Sequence, residues 1–380
     1  MSAVVNRTVK DTMLAAMLYG KERLRLEPVA VPQVGPDEIL VKVQVALTCG
    51  TDLKVFRRGY HARMIRPPAV LGHELAGDIV SVGSEVTTFQ PGQRVVAANS
   101  APCGDCFHCQ HDRENLCEDL LFNNGAYAEY VRIPGRIVAR NTYEIPDHIG
   151  YREAAMVESL ACVLKGLEDT NLRAGDTISI IGLGAIGLMF IRLASLTGAR
   201  VIVVGRRQTQ LDCAASMGAQ ELILTGGSEM PVEEVRNLTD AKRGCDVVIE
   251  ALGSPQTWKG AVDMVRSGGT VNFFGGCPSG SHVPLDTSRV HYSEITLKSS
   301  FPHTPKYIRR TLEIVAGGEI NAEDFVINEA PLTDLLSVFR HMMSHNGHLK
   351  TAILPWPSRT QRMSRNLWQD EPDRLRSVGD

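Results

Sequence analysis

Four cysteines are crowded into one polar stretch of the chain, with the spacing C-x2-C-x2-C-x7-C. Thiolates this close together can surround one tetrahedral ion from a single loop, and zinc favours such an all-sulfur ligand set. Two disulfides are a poor alternative, because neighbouring C-x2-C pairs do not suit disulfide geometry. An iron–sulfur cluster is a closer alternative, but in the bacterial C-x2-C-x2-C pattern the fourth cysteine follows after three residues and precedes a proline. The run predicts a structural zinc site at Cys103, Cys106, Cys109 and Cys117.

A second set of possible metal ligands is spread along the chain. Cys49 lies in TCGTD, just after a stretch over 38–47 that alternates like a strand. His73 and Glu74 occur in LGHELAG, and Glu158 occurs in MVESLACVLKGL. One thiolate, one imidazole and one or two carboxylates are typical of a catalytic zinc, which keeps a coordination position open for water or substrate. Each residue alone has an ordinary structural explanation, so the prediction depends on all of them together.

A glycine-rich turn of the form G-x-G-x-x-G occurs in the sequence GLGAIG. It follows an apolar strand predicted for 176–181 and opens an apolar helix predicted for 185–199. In this context the first glycine makes the turn, the second lets the backbone approach a pyrophosphate, and the third packs helix on strand. The free N–H groups at the start of the helix favour phosphate. The predicted cofactor-binding residues here are Gly182, Gly184, Ala185, Ile186 and Gly187.

The residue that ends the next strand, predicted over 200–204, bears on the choice between NAD and NADP. An acidic residue at this place would hold the adenosine ribose of NAD. The chain has Gly205 there, followed by Arg206 and Arg207. A carboxylate about 5 Å from a 2′-phosphate would repel it by about 3 kcal/mol per charge, whereas two guanidinium groups can pair with the phosphate oxygens. The sequence predicts a preference for NADP(H) and leaves NAD(H) open.

Composition excludes several classes of protein. The 380 residues are 43% hydrophobic and 22% charged, which is enough for a full core and for two domains. The net charge is −3 and basic residues occur only in short pairs, so a nucleic acid partner is not expected. The chain begins without a signal-peptide layout, and no apolar run reaches the length of a membrane span. The remaining cysteines are scattered, which favours a reducing cytoplasm.

The order of the predicted elements indicates an α/β fold. Short strands and Gly/Pro turns over 14–150 predict a mostly β domain. From residue 155, strands alternate with helices, which predicts a doubly wound parallel sheet of the Rossmann type. The strands of this sheet are predicted at 177–181, 200–204, 221–224, 246–250 and 270–274.

These motifs and their order resemble those of the zinc-containing medium-chain dehydrogenases, the group of alcohol, polyol and threonine dehydrogenases, over residues 14–355. The matching pieces are CGTD, GHE, the four-cysteine loop, GLGAIG, DVVIEALGS and FFGG. The resemblance implies a mostly β, GroES-like catalytic domain over 1–154 that carries both zinc sites, and a Rossmann domain over 155–300. It further implies a return to the catalytic domain over 301–356 and a homodimer or homotetramer. The charged composition of the last residues, with little apolar periodicity, predicts a polar tail over 357–380.

Two features separate the chain from the alcohol dehydrogenases of this group. Glu158 stands where those enzymes carry a cysteine ligand, and the segment HYSEITLKSSFPHTP is similar to the sugar and polyol branch. Both features favour a polyol, a sugar-derived alcohol, an amino alcohol or another secondary alcohol as the small-molecule substrate. Lys54 also replaces the histidine that continues the proton relay in alcohol dehydrogenases, and a lysine can carry protons only if its pKa falls towards neutrality.

The activity implied by the resemblance is hydride transfer between a secondary alcohol and a nicotinamide cofactor. A zinc ion on Cys49 and His73 would make the substrate alcohol more acidic. Either Glu74 or Glu158 would complete its ligands. Thr51 would carry the substrate proton, or its hydroxyl would serve only as a turn or helix N-cap.

Further cofactor contacts are expected at the carboxyl edge of the parallel sheet, where a dinucleotide lies in such folds. Glu250 and Phe274 end predicted strands at this edge, and the resemblance assigns Lys350 to the pyrophosphate. Two other functions stay open, namely a zinc-independent reductase of the same fold and a non-catalytic nucleotide-binding protein. The retained metal ligands argue against the reductase.

Overall fold

A computed structural model of the protein describes residues 11–226, 229–344 and 349–356. The predicted polar tail, 357–380, lies outside these ranges. The strands are β1 (Thr12–Leu18), β2 (Leu24–Ala30), β3 (Ile39–Leu47), β4 (Ala69–Val70), β5 (Leu75–Val82), β6 (Arg94–Ala97), β7 (Ser100–Ala101), β8 (Leu121–Phe122), β9 (Tyr130–Ile133), β10 (Thr142–Glu144), β11 (Thr177–Ile181), β12 (Arg200–Gly205), β13 (Glu221–Leu224), β14 (Cys245–Glu250), β15 (Val265–Phe273), β16 (Thr296–Lys298), β17 (Val326–Pro331) and β18 (Lys350–Leu354).

The helices are spread along the chain, and the longer ones begin with α5. They are α1 (Gly50–Arg58), α2 (Phe107–Gln110), α3 (Gly135–Asn141), α4 (Tyr151–Ala155), α5 (Val157–Glu168), α6 (Ala185–Leu196), α7 (Gln208–Ser216), α8 (Val232–Asn237), α9 (Pro255–Met264), α10 (Thr287–Tyr292), α11 (Pro305–Ala316) and α12 (Leu335–Ser344). Within the part of the chain that the structure describes, every helix is too short or too polar to cross a membrane.

A seven-stranded sheet joins the two ends of the described chain. Its order is β10-β6-β5-β3-β18-β17, and β9 pairs with β3 outside this path. The late strands β17 and β18 therefore share a sheet with the early strand β3, as the predicted return of the chain requires. β3 alternates as predicted, and its apolar side chains are buried. The domain boundaries themselves stay predictions.

The second large sheet has six strands in the order β13-β12-β11-β14-β15-β16, and all neighbours are parallel. This is the 3-2-1-4-5-6 order of a Rossmann fold, so the predicted fold class is confirmed. All five predicted strands are present, although β15 begins earlier than expected and the short edge strand β16 was missed. The strand order reverses between β11 and β14, which opens the crevice where a dinucleotide binds in such sheets.

Helix α5 connects the two large sheets. Nearly all of its side chains are buried, and it packs against α6 and α11. Glu158 lies in its first turn and Cys162 lies one turn later, on the same face. Helix α5 thus places Glu158 in the interior of the protein.

Candidate active site

Cys49 begins α1, two residues after β3 ends. Its backbone is extended, with φ −126° and ψ 145°, and its Sγ accepts a hydrogen bond from the backbone N–H of Thr51 at 3.4 Å. Cys49 is therefore the N-cap of α1. Because the cap is a sulfur, the alternative that the Thr51 hydroxyl caps this helix is wrong.

The imidazole of His73 is buried and held by a carboxylate. Its Nδ1 lies 2.8 Å from Oδ1 of Asp52, and the Tyr127 hydroxyl donates to Oδ2 of Asp52 at 2.7 Å. Nδ1 is thus occupied, and Nε2 is left for a metal. Burial lowers the pKa of His73, but Asp52 and Cys49 raise it by more, so that it lies well above its usual value. A site that draws an extra proton onto this ring favours a cation.

The carboxylate of Glu74 is paired with Lys350. The Lys350 ammonium lies 2.7 Å from Oε1 and 2.6 Å from Oε2, and both residues are buried. Burial lowers the pKa of Lys350, but Glu74 and Cys49 raise it by more. This geometry differs from the expectation that Lys350 contacts the pyrophosphate, since its ammonium faces the metal-ligand group instead of the glycine turn.

Three of the predicted ligands converge. Cys49, His73 and Glu74 each offer one ligand atom, and the three atoms lie within 4.8 Å of one another. A thiolate, an imidazole and a carboxylate at this spacing fit a zinc ion with one open position. Glu158 lies outside the group. Burial raises its pKa to about 7, although the charge of His73 acts in the opposite direction.

A histidine that the sequence analysis missed lies beside Glu158. Nε2 of His303 is 2.9 Å from Oδ1 of Asn99 and 3.6 Å from Oε1 of Glu158. Burial lowers the pKa of His303 to about 3, and the charge of His73 adds to this effect, so the ring is neutral. The available signal was a single imidazole between two prolines in FPHTP, a segment used above only to choose the family branch.

The four-cysteine loop has the geometry of a single-ion site. Its Sγ–Sγ distances are 3.5, 3.6, 3.9 and 3.9 Å, and none of the sulfurs is in a disulfide. Zinc with bonds of about 2.3 Å to sulfur places tetrahedral ligands about 3.8 Å apart. The thiols therefore fit one zinc, and the disulfide alternative is wrong. A cluster with a separate iron behind each sulfur would hold the cysteines further apart.

The glycine turn lies at the carboxyl end of β11. Gly182 has φ 101°, which a residue with a side chain rarely adopts. A Cβ on Gly187 would lie 1.8 Å from the carbonyl oxygen of Gly182, so only glycine lets α6 approach so closely. At Gly184 a Cβ would meet no atom within 4 Å, which leaves room for a pyrophosphate. Ala185 and Ile186, at the helix start, are half-buried.

The predicted phosphate-binding arginines follow β12. Arg206 is exposed and Arg207 is half-buried, and neither forms an ion pair with a carboxylate of the described residues. Gly205 is buried, and a Cβ there would lie 2.5 Å from Cδ1 of Leu183 in the glycine turn. The strand end is thus shaped for glycine, and the two cations immediately beyond it form no ion pair within the described ranges.

Glu250 and Phe274 lie at the expected sheet edge, but their side chains contact the protein itself. Glu250 accepts hydrogen bonds from the backbone N–H groups of Leu252 and Gly253, both at 2.9 Å, and from the Thr257 hydroxyl at 2.7 Å. The ring of Phe274 packs edge-on against Phe190. Any cofactor contact by these two residues stays a prediction.

Comparison with known proteins assigns the family. Residues 35–147 match the Alcohol dehydrogenase GroES-like domain, and residues 185–317 match the Zinc-binding dehydrogenase family. Sorbitol dehydrogenase of Bacillus subtilis is 31% identical over 92% of this chain and 99% of its own length. The chain belongs to the zinc-type medium-chain dehydrogenase/reductase family.

The sorbitol dehydrogenase relative places this dehydrogenase in the polyol branch, and two further relatives agree with its family and fold. An L-threonine 3-dehydrogenase of Chelativorans sp. is 31% identical over 90% of this chain and 99% of its own. A crystal structure from Sinorhizobium meliloti 1021, described as a zinc-binding dehydrogenase bound to NADP, is 32% identical with a TM-score of 0.82, over 91% of this chain and all of that one. The protein is a zinc-dependent oxidoreductase that acts on a small-molecule alcohol.

Proposed function

We propose that this dehydrogenase oxidises a secondary alcohol of the polyol, sugar-derived or amino-alcohol type, with NADP(H) preferred over NAD(H). The observation that carries the proposal is the convergence of Cys49, His73 and Glu74 within 4.8 Å.

Glu74 is proposed as the third protein ligand in preference to Glu158, because Glu74 shares the compact group with Cys49 and His73. When bound, zinc supplies a Lewis acid that makes an alcohol more acidic. Asp52 keeps Nδ1 of His73 protonated, and so fixes the direction of Nε2. Thr51, half-buried two residues after Cys49, is proposed to hold and pass on the substrate proton.

The cofactor preference is supported by the strand end after β12. Gly205 offers no carboxylate to repel a 2′-phosphate, and Arg206 and Arg207 are free to pair with one. The Sinorhizobium meliloti relative was solved with NADP. The open space at Gly184 and the start of α6 are proposed to hold the pyrophosphate.

The organisation of the chain belongs to the same proposal. We propose a catalytic domain over 1–154 and 301–356 and a Rossmann domain over 155–300, supported by the strand pairing of β3 with β18. A homodimer or homotetramer in the cytoplasm is also proposed. In the described residues, β16 pairs only with β15 and leaves one sheet edge uncovered, and no cysteine is in a disulfide.

A substrate panel tests the proposal. Polyols, amino alcohols and simple secondary alcohols would each be assayed with NADP and with NAD, and zinc would be counted in the same preparation. We expect two zinc ions per chain and a higher kcat/KM with NADP for at least one alcohol. A preparation with both zinc ions that reduces neither cofactor with any alcohol would overturn the proposal.

A further inference from the structure

His303 lies where the chain returns from β16 to α11, and its surroundings contact two other parts of the fold. The amide Nδ2 of Asn115, in the four-cysteine loop, donates a hydrogen bond to the carbonyl oxygen of Phe301 at 2.7 Å. The backbone N–H of His303 lies against the sulfur of Cys162, where its hydrogen bond lowers a thiol pKa that burial raises. The imidazole itself is 1% exposed. Contacts with the four-cysteine loop and with α5 therefore fix the position of His303.

The hydrogen of this neutral ring is on Nε2. Two oxygen atoms face that nitrogen, Oδ1 of Asn99 at 2.9 Å and Oε1 of Glu158 at 3.6 Å. Nδ1 has no hydrogen-bond partner among the described residues. Because both oxygens are acceptors, the Nε2–H lies between them. The contact with Glu158 is slightly longer than a hydrogen bond, and a small rotation of the carboxylate would close it.

The two carboxylates near the metal ligands have different partners. Both oxygens of Glu74 are engaged by Lys350. Within the described residues the Glu158 carboxylate accepts no hydrogen bond of 3.5 Å or less, and Nε2 of His303 lies 3.6 Å from its Oε1. A buried carboxylate needs a donor or a cation. The charge of Lys350 also acts on Glu158, but its ammonium is already paired with both oxygens of Glu74. The remaining candidates for Glu158 are the imidazole of His303 and a metal ion on Cys49 and His73.

We propose that His303 is a positioning residue for Glu158. Its Nε2–H keeps the Glu158 carboxylate outside the metal-ligand group, so that the open coordination position stays available to the substrate. The inference deepens the proposed function and depends on it. Without the imidazole, Glu158 would turn towards the metal, hold it more tightly and compete with the alcohol.

The test is the rate at which a chelator removes the catalytic zinc from the purified enzyme. The Cys49→Ser variant identifies which kinetic phase belongs to this site. In His303→Leu we expect that phase to slow on the order of tenfold, with a higher KM for the alcohol and a smaller change in kcat. His303→Gln, whose amide nitrogen can occupy the place of Nε2, should restore both values. His303→Asn, with a shorter reach, should not.

The same His303→Leu change, made in a Glu158→Gln enzyme, shows whether its effect on zinc release and KM requires the Glu158 carboxylate. In Glu158→Gln, a further His303→Leu change should leave the zinc-release rate and the KM unaltered. Unchanged release in His303→Leu, or an equal change in both backgrounds, overturns the inference. If His303→Leu does not fold, the comparison of His303→Gln with His303→Asn decides in the same way. A wild-type enzyme without a catalytic zinc phase would instead contradict the proposed function itself.

Discussion

The ammonium of Lys350 and the carboxylate of Glu74 form a buried ion pair, with side chains that are 3% and 0% exposed. The pair joins the last described strand, β18, to the residue that follows His73. It therefore places a positive charge against the metal-ligand group and ties the end of the chain to its beginning. Removal of one partner would leave the other charge buried and alone.

Replacement of Lys350 by methionine should strongly destabilise the metal-free protein. A buried pair that loses one partner costs about 3–5 kcal/mol of unfolding free energy, which urea denaturation measures. The matched control is Lys259→Met, because Lys259 and Asp263 form a partly exposed pair at 3.0 Å that contributes about 0–1 kcal/mol. Equal losses in the two variants would contradict the account of the buried pair.

Substitution of Arg206 by alanine should weaken NADP(H) selectively. A charge-assisted hydrogen bond contributes about 1.5–3 kcal/mol, so we expect the KM for NADP to rise about 10- to 100-fold while that for NAD changes little. The control is Arg243→Ala, because Arg243 is exposed and lies two residues before β14. An equal loss with both cofactors would refute phosphate pairing by Arg206.

An aspartate at position 205 should fail to convert the enzyme to NAD. Its Cβ would lie 2.5 Å from Cδ1 of Leu183, so Gly205→Asp should disturb the glycine turn and weaken both cofactors. The double variant Leu183→Ala, Gly205→Asp removes the clash and should recover NADH binding, as measured by fluorescence titration. Tight NADH binding by Gly205→Asp alone would show that this contact does not limit the site.

The neutral state of His303 should make the protein sensitive to acid. Its pKa is about 3 in the folded protein and about 6.5 in an unfolded chain, so the unfolded state takes up the proton first and acid favours unfolding. Between pH 7 and pH 5 this costs about 2 kcal/mol. His303→Gln should remove that part of the loss in urea unfolding, whereas exposed His148→Gln should not. Identical pH slopes in the wild type and His303→Gln would be the contrary result.

Local patterns predicted most of the fold because each long strand or helix can be recognised from a few consecutive residues. β11 and α6 are apolar runs that flank GLGAIG, and their starts were predicted correctly. β16 was missed because three residues, Thr296–Lys298, are too few to show a period. The four-cysteine site was predictable for the same reason, since one loop supplies all its ligands.

The partners inside the site were not predictable, because they join distant parts of the chain. Lys350 and Glu74 are 276 positions apart, and His303 and Asn99 are 204 apart. The sequence indicated that Glu74 and Glu158 were both candidates for zinc, but not which one joins Cys49. Which glutamate lies beside Cys49 depends on how α5 packs against the rest of the protein, and no local sequence pattern predicts that packing.

The most direct test of the account is the zinc content and turnover of the Cys49→Ser variant. We predict two zinc ions per chain in the wild type, and one in Cys49→Ser, with the fold retained and hydride transfer lost. Cys213→Ser, at a half-buried position of α7, should keep both ions and full activity. A Cys49→Ser enzyme that holds two zinc ions and still oxidises its alcohol would show that Cys49 does not hold the catalytic zinc.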